Sequence, residues 1–232
     1  MTRKKLIVLT GAGVSAESGI STFRDSNGLW ENHDIRDVAS PEGWRENRAL
    51  VLDFYNQRRK QARECGPNEA HLTLARLEAH FDVQIITQNV DDLHERAGSS
   101  QVLHLHGELS KAQSTLDPKL IYTLDHWEIK EGDKCEKGSQ LRPFIVWFGE
   151  AVPMMVPAIN IAKTADIFLV LGTSLQVYPA AGLIDYAPRQ AKKYLIDPKI
   201  PDSPLPKDVN LIQEKATVGM KILEEILLKD LN

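Results

Sequence analysis

Leu6-Ile7-Val8-Leu9, an uninterrupted apolar run of strand length, leads almost directly into Gly11-Ala12-Gly13-Val14-Ser15, followed by Ser18-Gly19-Ile20 and Thr22-Phe23-Arg24. A run without polar alternation belongs to a strand covered on both faces, the condition of a parallel sheet. The glycines therefore fall where such a strand turns into a helix, and phosphates bind there. Glycine lets the backbone approach a pyrophosphate, while free N–H groups at a helix start add donors and the positive end of the helix dipole. A tight connection without ligand is the plainer alternative. The spacing departs from G-x-G-x-x-G, because the third glycine arrives only at Gly19, too late for its usual strand-to-helix packing role. Hydride-transfer chemistry is disfavoured on that ground.

Comparable apolar runs recur at 83–86, 167–171, 194–196 and 209–212, with helical patterns at 50–63, 70–79, 156–165, 180–187 and 217–228. Such alternation predicts an α/β fold built on a doubly wound parallel sheet. Two stretches interrupt it: residues 26–66, charged and without strand signal, and 110–142, which holds Asp117-Pro118, Gly132-Asp133 and Gly138-Ser139. These turn formers mark a small lobe inserted into the sheet domain. A chain of 232 residues with 42% hydrophobic content suits one domain with such an insertion. A formal net charge of −4, with no long basic run, leaves no electrostatic footprint for nucleic acid. No stretch approaches membrane-spanning length, and the apolar run behind Arg3-Lys4-Lys5 is too short for a signal peptide. Cys65 and Cys135 make no disulfide framework and read as free thiols of a reducing cytoplasm.

Thr87-Gln88-Asn89-Val90-Asp91 follows the run 83–86, which puts polar side chains just beyond a strand's carboxyl end. Open parallel sheets bind ligands at that edge. Gln88, Asn89 and Asp91 offer donors and acceptors suited to an amide and a pair of ribose hydroxyls; a helix cap by Asn89 or Asp91 is compatible with that role. In Leu103-His104-Leu105-His106-Gly107 the two histidines fall at strand periodicity, on one face. His106, beside a glycine, is the candidate base. Gly172-Thr173-Ser174 after the run 167–171 is a third polar loop at a strand end.

Taken in order, Gly-Ala-Gly-Val-Ser-Ala-Glu-Ser-Gly-Ile at 11–20, Thr-Phe-Arg at 22–24, Thr-Gln-Asn-Val-Asp at 87–91, Leu-His-Gly at 105–107, Phe-Gly-Glu at 148–150 and Gly-Thr-Ser at 172–174 resemble the sirtuin family of NAD-dependent protein lysine deacylases, over essentially the whole chain. The resemblance implies a Rossmann-like domain plus a small lobe, with NAD and an acyl-lysine protein substrate meeting in the cleft. It implies that the acyl oxygen attacks C1′ of the nicotinamide ribose, that nicotinamide leaves an alkylamidate behind, and that His106 then takes a proton from a ribose hydroxyl. Asn89, assigned to catalysis with His106, would hold the ribose and nicotinamide amide together with Asp91, and Gln88 would orient the ribose. Arg24 would meet the pyrophosphate and Phe23 would shield the reactive carbon. Gly11, Ala12, Gly13, Ser15, Gly172, Thr173 and Ser174 would line the phosphates and adenosine. Val146, Trp147, Phe148 and Gly149 resemble the segment that pairs with the substrate peptide.

Tyr55 and Arg58 lie three apart on a predicted helix, so they share a face, and a phenol with a cation can clamp a carboxylate. By itself the pair also fits a solvated basic face. It matches the Tyr-x-x-Arg pair of desuccinylase-type sirtuins, and Ala39 resembles the small residue that widens their acyl pocket. Succinyl or malonyl groups are thus the expected substrates, with deacetylation alongside. Most of the family carries four zinc-binding cysteines between Leu-His-Gly and Phe-Gly-Glu; here that interval holds only Cys135, with Ser114 near a first-pair position. Zinc is expected to be absent. Leu116, Leu120, Ile121, Leu124, Trp127 and Ile129 are expected to form an apolar cluster instead, with a site from Asp125, His126 and Cys135 as the alternative. At Leu195-Ile196-Asp197, relatives tend to place an asparagine-led segment; here Asp197 would accept from the adenosine ribose and Ala216 would border adenine. ADP-ribosyl transfer to a protein, or silent binding of NAD or acyl-lysine, are the competing readings. His106 argues against the first, and the intact Gln88, Asn89, Asp91 and His106 set against the second.

Overall fold

The computed structural model describes residues 3–21, 29–30, 33–200 and 205–231. Phe23 and Arg24 lie outside the described residues. A six-stranded parallel sheet is formed by β1 (Lys5–Thr10), β4 (Asp82–Thr87), β5 (Val102–His104), β9 (Ile167–Leu171), β10 (Lys192–Ile196) and β11 (Val209–Ile212), in the order β11-β10-β9-β1-β4-β5. Every residue of β9, and all of β1 but its first, is buried, as continuous apolar runs require. One face packs on α4 (Glu69–Leu77) and α7 (Ala216–Lys229), the other on α6 (Met155–Ala162) and the segment Ala180–Tyr186. The last was expected to be α-helical and is a 3-10 helix holding Gly182, a residue that weakens a regular helix.

Strand order reverses between β1 and β9. Ligands of doubly wound sheets lie in the crevice at that switch point, and the glycine loop and the Gly-Thr-Ser loop both leave the sheet there.

A second body holds the two-residue strands β2 (Leu29–Trp30) and β3 (His33–Asp34), then α1 (Ile35–Val38), α2 (Pro41–Glu46) and α3 (Arg48–Glu64). Its antiparallel sheet, β7-β6-β8, is made of β6 (Gly107–Ser114), β7 (Ile121–Thr123) and β8 (Leu141–Ile145). Val38, Val51, Phe54, Tyr55, Leu109 and Trp147 pack in its core. The one-turn helix α5 (Leu93–Arg96) completes the elements used below.

The apolar cluster expected over residues 116–129 does not form. Ile129 is buried and Leu124 packs beside it, but Leu116 and Ile121 are 65% and 43% exposed. Polar contacts hold this region instead: Ser114 Oγ meets Ser139 Oγ at 2.9 Å, Cys135 Sγ lies 3.2 Å from Ser139 Oγ, and Lys137 Nζ pairs with Asp117 at 2.7 Å. Hydrogen bonds from both serines pull the Cys135 thiol down to about 7. The alternative metal site is not assembled either. Asp125 and His126 are exposed, 3.8 Å apart, and among the described residues no three His, Cys, Asp or Glu side chains are grouped to hold an ion.

Candidate active site

The loops after β1 and β9 grip one another. Gly11 N–H donates to Leu171 O at 3.1 Å and Gly13 N–H to Gly172 O at 2.8 Å. A Cβ on Gly13 would stand 2.7 Å from that carbonyl oxygen, so contact between the loops suffices to explain the glycine. The helix expected after this turn is replaced by two 3-10 turns, Ala12–Val14 and Ala16–Ser18. Gly11, Gly13, Ser15, Ser18 and Gly19 are weak helix formers, and the Ser15 hydroxyl is drawn inward instead.

Beneath the loops lies a buried polar network. Ser15 Oγ donates to Asp91 Oδ2 and accepts from Asn89 Nδ2, both at 3.1 Å, while Leu93 N–H donates to Asp91 Oδ1 at 3.2 Å. Burial raises the Asp91 carboxyl despite the Leu93 and Ser15 bonds. Gln88 Nε2 donates to Thr173 Oγ1 at 3.2 Å, tying the loops after β4 and β9 together. Ser174 stands half-buried beside Thr173.

Sequence reasoning missed the floor of this network. His71 Nε2 lies 3.4 Å from Ser15 Oγ, and its Nδ1 accepts from Asn68 N–H at 3.2 Å in a capping box that opens α4. Since the single Ser15 proton goes to Asp91, His71 must donate from Nε2, which fixes a neutral tautomer. Burial takes this ring down to about 4. His94 Nε2 contacts Thr10 Oγ1 at 3.1 Å, its ring lies 4.8 Å from that of His71, and burial pushes it well below the ordinary range. Asn68 preceding an apolar helical pattern was the available signal.

The two predicted histidines hold consecutive carbonyls of one loop. His106 Nδ1 bonds Gln88 O at 3.1 Å and His104 Nδ1 bonds Asn89 O at 2.9 Å. A carbonyl only accepts, so His106 carries its proton on Nδ1 and presents an Nε2 lone pair. Burial lowers its pKa, partly offset by the Gln88 bond. His104 also meets Glu95 at 2.8 Å; burial opposes its charge, but that carboxylate outweighs it and the pKa rises. β5 ends at His104, so only one of the pair stands in a strand. At Gly107 (φ +84°) an added Cβ would fall 2.0 Å from Phe144 O; only glycine lets β8 come this close behind His106. Val146 N–H then donates to His106 O at 2.9 Å.

Tyr55 is fully buried, and its hydroxyl accepts from Trp147 Nε1 at 3.2 Å. Burial raises the phenol's pKa, keeping it neutral. Trp147 is covered by the Arg142 guanidinium, 3.4 Å from its ring centre, and Arg142 pairs with Glu150 at 2.7 Å. The buried Ala39 packs in the same core, and its carbonyl accepts from Phe148 N–H at 3.0 Å. Residues 146–149 follow β8 as a loop, in which Gly149 has a left-handed backbone. Arg58 and Asp91 both line a small cavity with Ile20, Gln61, Ala62, Val90 and Leu109. Asp197 is buried after β10, with Oδ1 accepting from Lys199 N–H at 2.9 Å. Ala216 is the buried first residue of α7, next to Thr217, whose N–H and Oγ1 bond the Glu17 carboxylate at 3.0 and 2.9 Å.

The sheet order and the loops at its switch point define an α/β protein of the doubly wound, Rossmann-like class. The Sir2 family model matches residues 11–179. A Helicobacter pylori protein named NAD-dependent protein deacylase is 57% identical over 222 residues, spanning 95% of this chain and 96% of its own. A Bacteroides thetaiotaomicron protein of the same name is 53% identical over 230 residues, spanning 97% and 98%. Among solved structures, a Sir2 homolog in complex with NAD superposes with a TM-score of 0.88 at 39% identity, covering 99% of this chain and 91% of that one. The chain belongs to the Sir2 family.

Proposed function

We infer that this chain is an NAD-dependent protein lysine deacylase that prefers succinyl or malonyl groups and also accepts acetyl. Bound here, NAD would supply an electrophilic ribose carbon for the acyl oxygen, with nicotinamide as the leaving group. The residues at the switch point fit a dinucleotide: a backbone turn at Gly11, Ala12 and Gly13, the Ser15 hydroxyl, and the Thr173 and Ser174 hydroxyls opposite. Asn89 and Asp91, oriented through Ser15, would hold the ribose and the nicotinamide amide, and Gln88 the ribose. Asp197 and Ala216 would border the adenosine, and Phe23 and Arg24 would act as the family resemblance assigns.

The observation that carries this reading is the His106 ring, whose Nδ1–H is spent on Gln88 O so that Nε2 is the free base. Lowered by burial, it stays neutral at physiological pH and can take a proton from a ribose hydroxyl. The helical body with its antiparallel sheet would be the small lobe, and the acyl-lysine would enter between it and the parallel sheet. Tyr55 and Arg58 would receive the acyl carboxylate, with Ala39 leaving room. The N–H groups of Val146, Trp147 and Phe148 are committed to His106 O, Glu150 and Ala39 O, so pairing with a peptide falls to the carbonyls and Gly149. Cys65 and Cys135 are unpaired thiols, which suits a reducing cytoplasm, and no helix among the described residues is long and apolar enough to cross a membrane.

The test incubates the protein with succinyl- and acetyl-lysine peptides, with and without NAD, and follows nicotinamide and O-acyl-ADP-ribose. NAD-dependent desuccinylation is expected, lost in His106→Ala. Arg58→Met should damage desuccinylation far more than deacetylation. Equal losses would remove the carboxylate clamp from the mechanism.

A further inference from the structure

Arg59, the residue after Arg58 on α3, is a buried cation with no carboxylate partner among the described residues. Its Nε donates to Leu109 O, and its Nη1 to Asn56 Oδ1 at 2.9 Å and Trp127 O at 2.7 Å. One helical turn further, Arg63 donates to Asp125 O at 3.0 Å and Leu124 O at 3.1 Å, while Asn56 bonds both N–H and C=O of Ile129 at 2.9 Å. One stripe of α3 thus grips the backbone of β6 and of residues 124–129. Taking a guanidinium out of water without a counter-charge is costly, and only the forked hydrogen bonds offset it here.

That geometry bears on the reaction. Leu109, held through its carbonyl by Arg59, donates its own N–H to Val90 O at 2.8 Å, and Val90 sits between Asn89 and Asp91. Leu109 and Val90 form the wall shared by Arg58 and Asp91 in the small cavity. Where most of the family has zinc, Ser114, Asp117 and Cys135 offer a single thiol and a hydroxyl already accepting from Leu116 and Asp117 N–H at 3.1 Å. This donor set does not fit a zinc ion, which leaves the guanidinium grip as a main cross-link.

We propose that Arg59 is a positioning residue for deacylation: through Leu109 and Val90 it sets the distance between the acyl-recognising Arg58 and the Asn89–Asp91 loop. The proposal rests on the reading of Arg58 as an acyl contact. Arg59→Met and Arg59→Lys, the latter keeping charge but losing the forked donors, are assayed beside Arg58→Met with succinyl- and acetyl-peptides. Arg59→Met should raise KM for the succinyl-peptide about tenfold and lower the succinyl-to-acetyl ratio of kcat/KM, with partial recovery in Arg59→Lys. A purely structural role would cut kcat on both substrates alike at constant KM, and that result overturns the proposal. If Arg59→Met does not fold, Arg59→Lys decides on the same ratio. If Arg58→Met shifts the ratio and the Arg59 variants do not, only this proposal fails; if Arg58→Met leaves it unchanged, the acyl-contact reading fails first.

Discussion

Two histidines of opposite purpose set the pH behaviour at the residue scale. The base proposed at His106 requires an unprotonated Nε2, and burial lowers its pKa. The acid limb of kcat/KM should therefore lie below the ordinary imidazole range, activity falling as pH drops through it; a pH–rate profile measures this. His71 acts on stability. Folded, burial holds it at about 4; unfolded, it titrates near 6.5. Between those values the unfolded chain binds the extra proton, so stability is full above pH 6.5 and is lost as pH falls toward 4, by on the order of 3 kcal/mol. Thermal melts across that window should fall steeply for the native protein and less steeply for His71→Gln. The capping contact of His71 with Asn68 is local, but its place under Ser15 was not legible in the sequence, because Ser15 meets it only after the glycine loop folds back over α4.

Among the elements, the two loops at the switch point form a single clasp. Gly13→Ala would press a methyl against Gly172 O and Cα, at 2.7 and 2.8 Å, both backbone atoms that have little room to retreat. We expect a loss of roughly 2 kcal/mol in stability, read by denaturant unfolding, together with a raised KM for NAD. The central strands β1 and β9 were readable because burial on both faces writes unbroken apolar runs. The antiparallel sheet was not: Glu108, Ser110, Lys111 and Gln113 break the apolar signal of β6, which earns its place through ladder hydrogen bonds and α3. The 3-10 turns were hidden for a related reason, since a glycine-rich turn announces where a helix starts but not whether it continues. The partnership of Tyr55 with Trp147, 92 residues away, is a tertiary fact that spacing on one helix does not contain.

At the scale of the whole molecule, hydrogen bonds and an ion pair hold residues 114–139 of the second body, where most of the family carries a zinc site. A chelator should accordingly leave the melting temperature unchanged, and native mass spectrometry should find the chain without zinc. A drop in melting temperature on chelation would refute this. The ordered motifs made the family legible, while Arg59, His71 and the Arg142–Glu150 pair were not, because buried polar struts carry no periodicity.

Glu17 reaches across 200 positions to hold Thr217 at the start of the last helix. The first turn of that helix is thereby hooked to the glycine turn, while its end is tied at the opposite edge of the sheet, where Lys192 Nζ pairs with Asp230 at 2.5 Å. Cutting that hook with Glu17→Ala should loosen the grip on NAD, seen by calorimetric titration, before it disturbs the histidine chemistry.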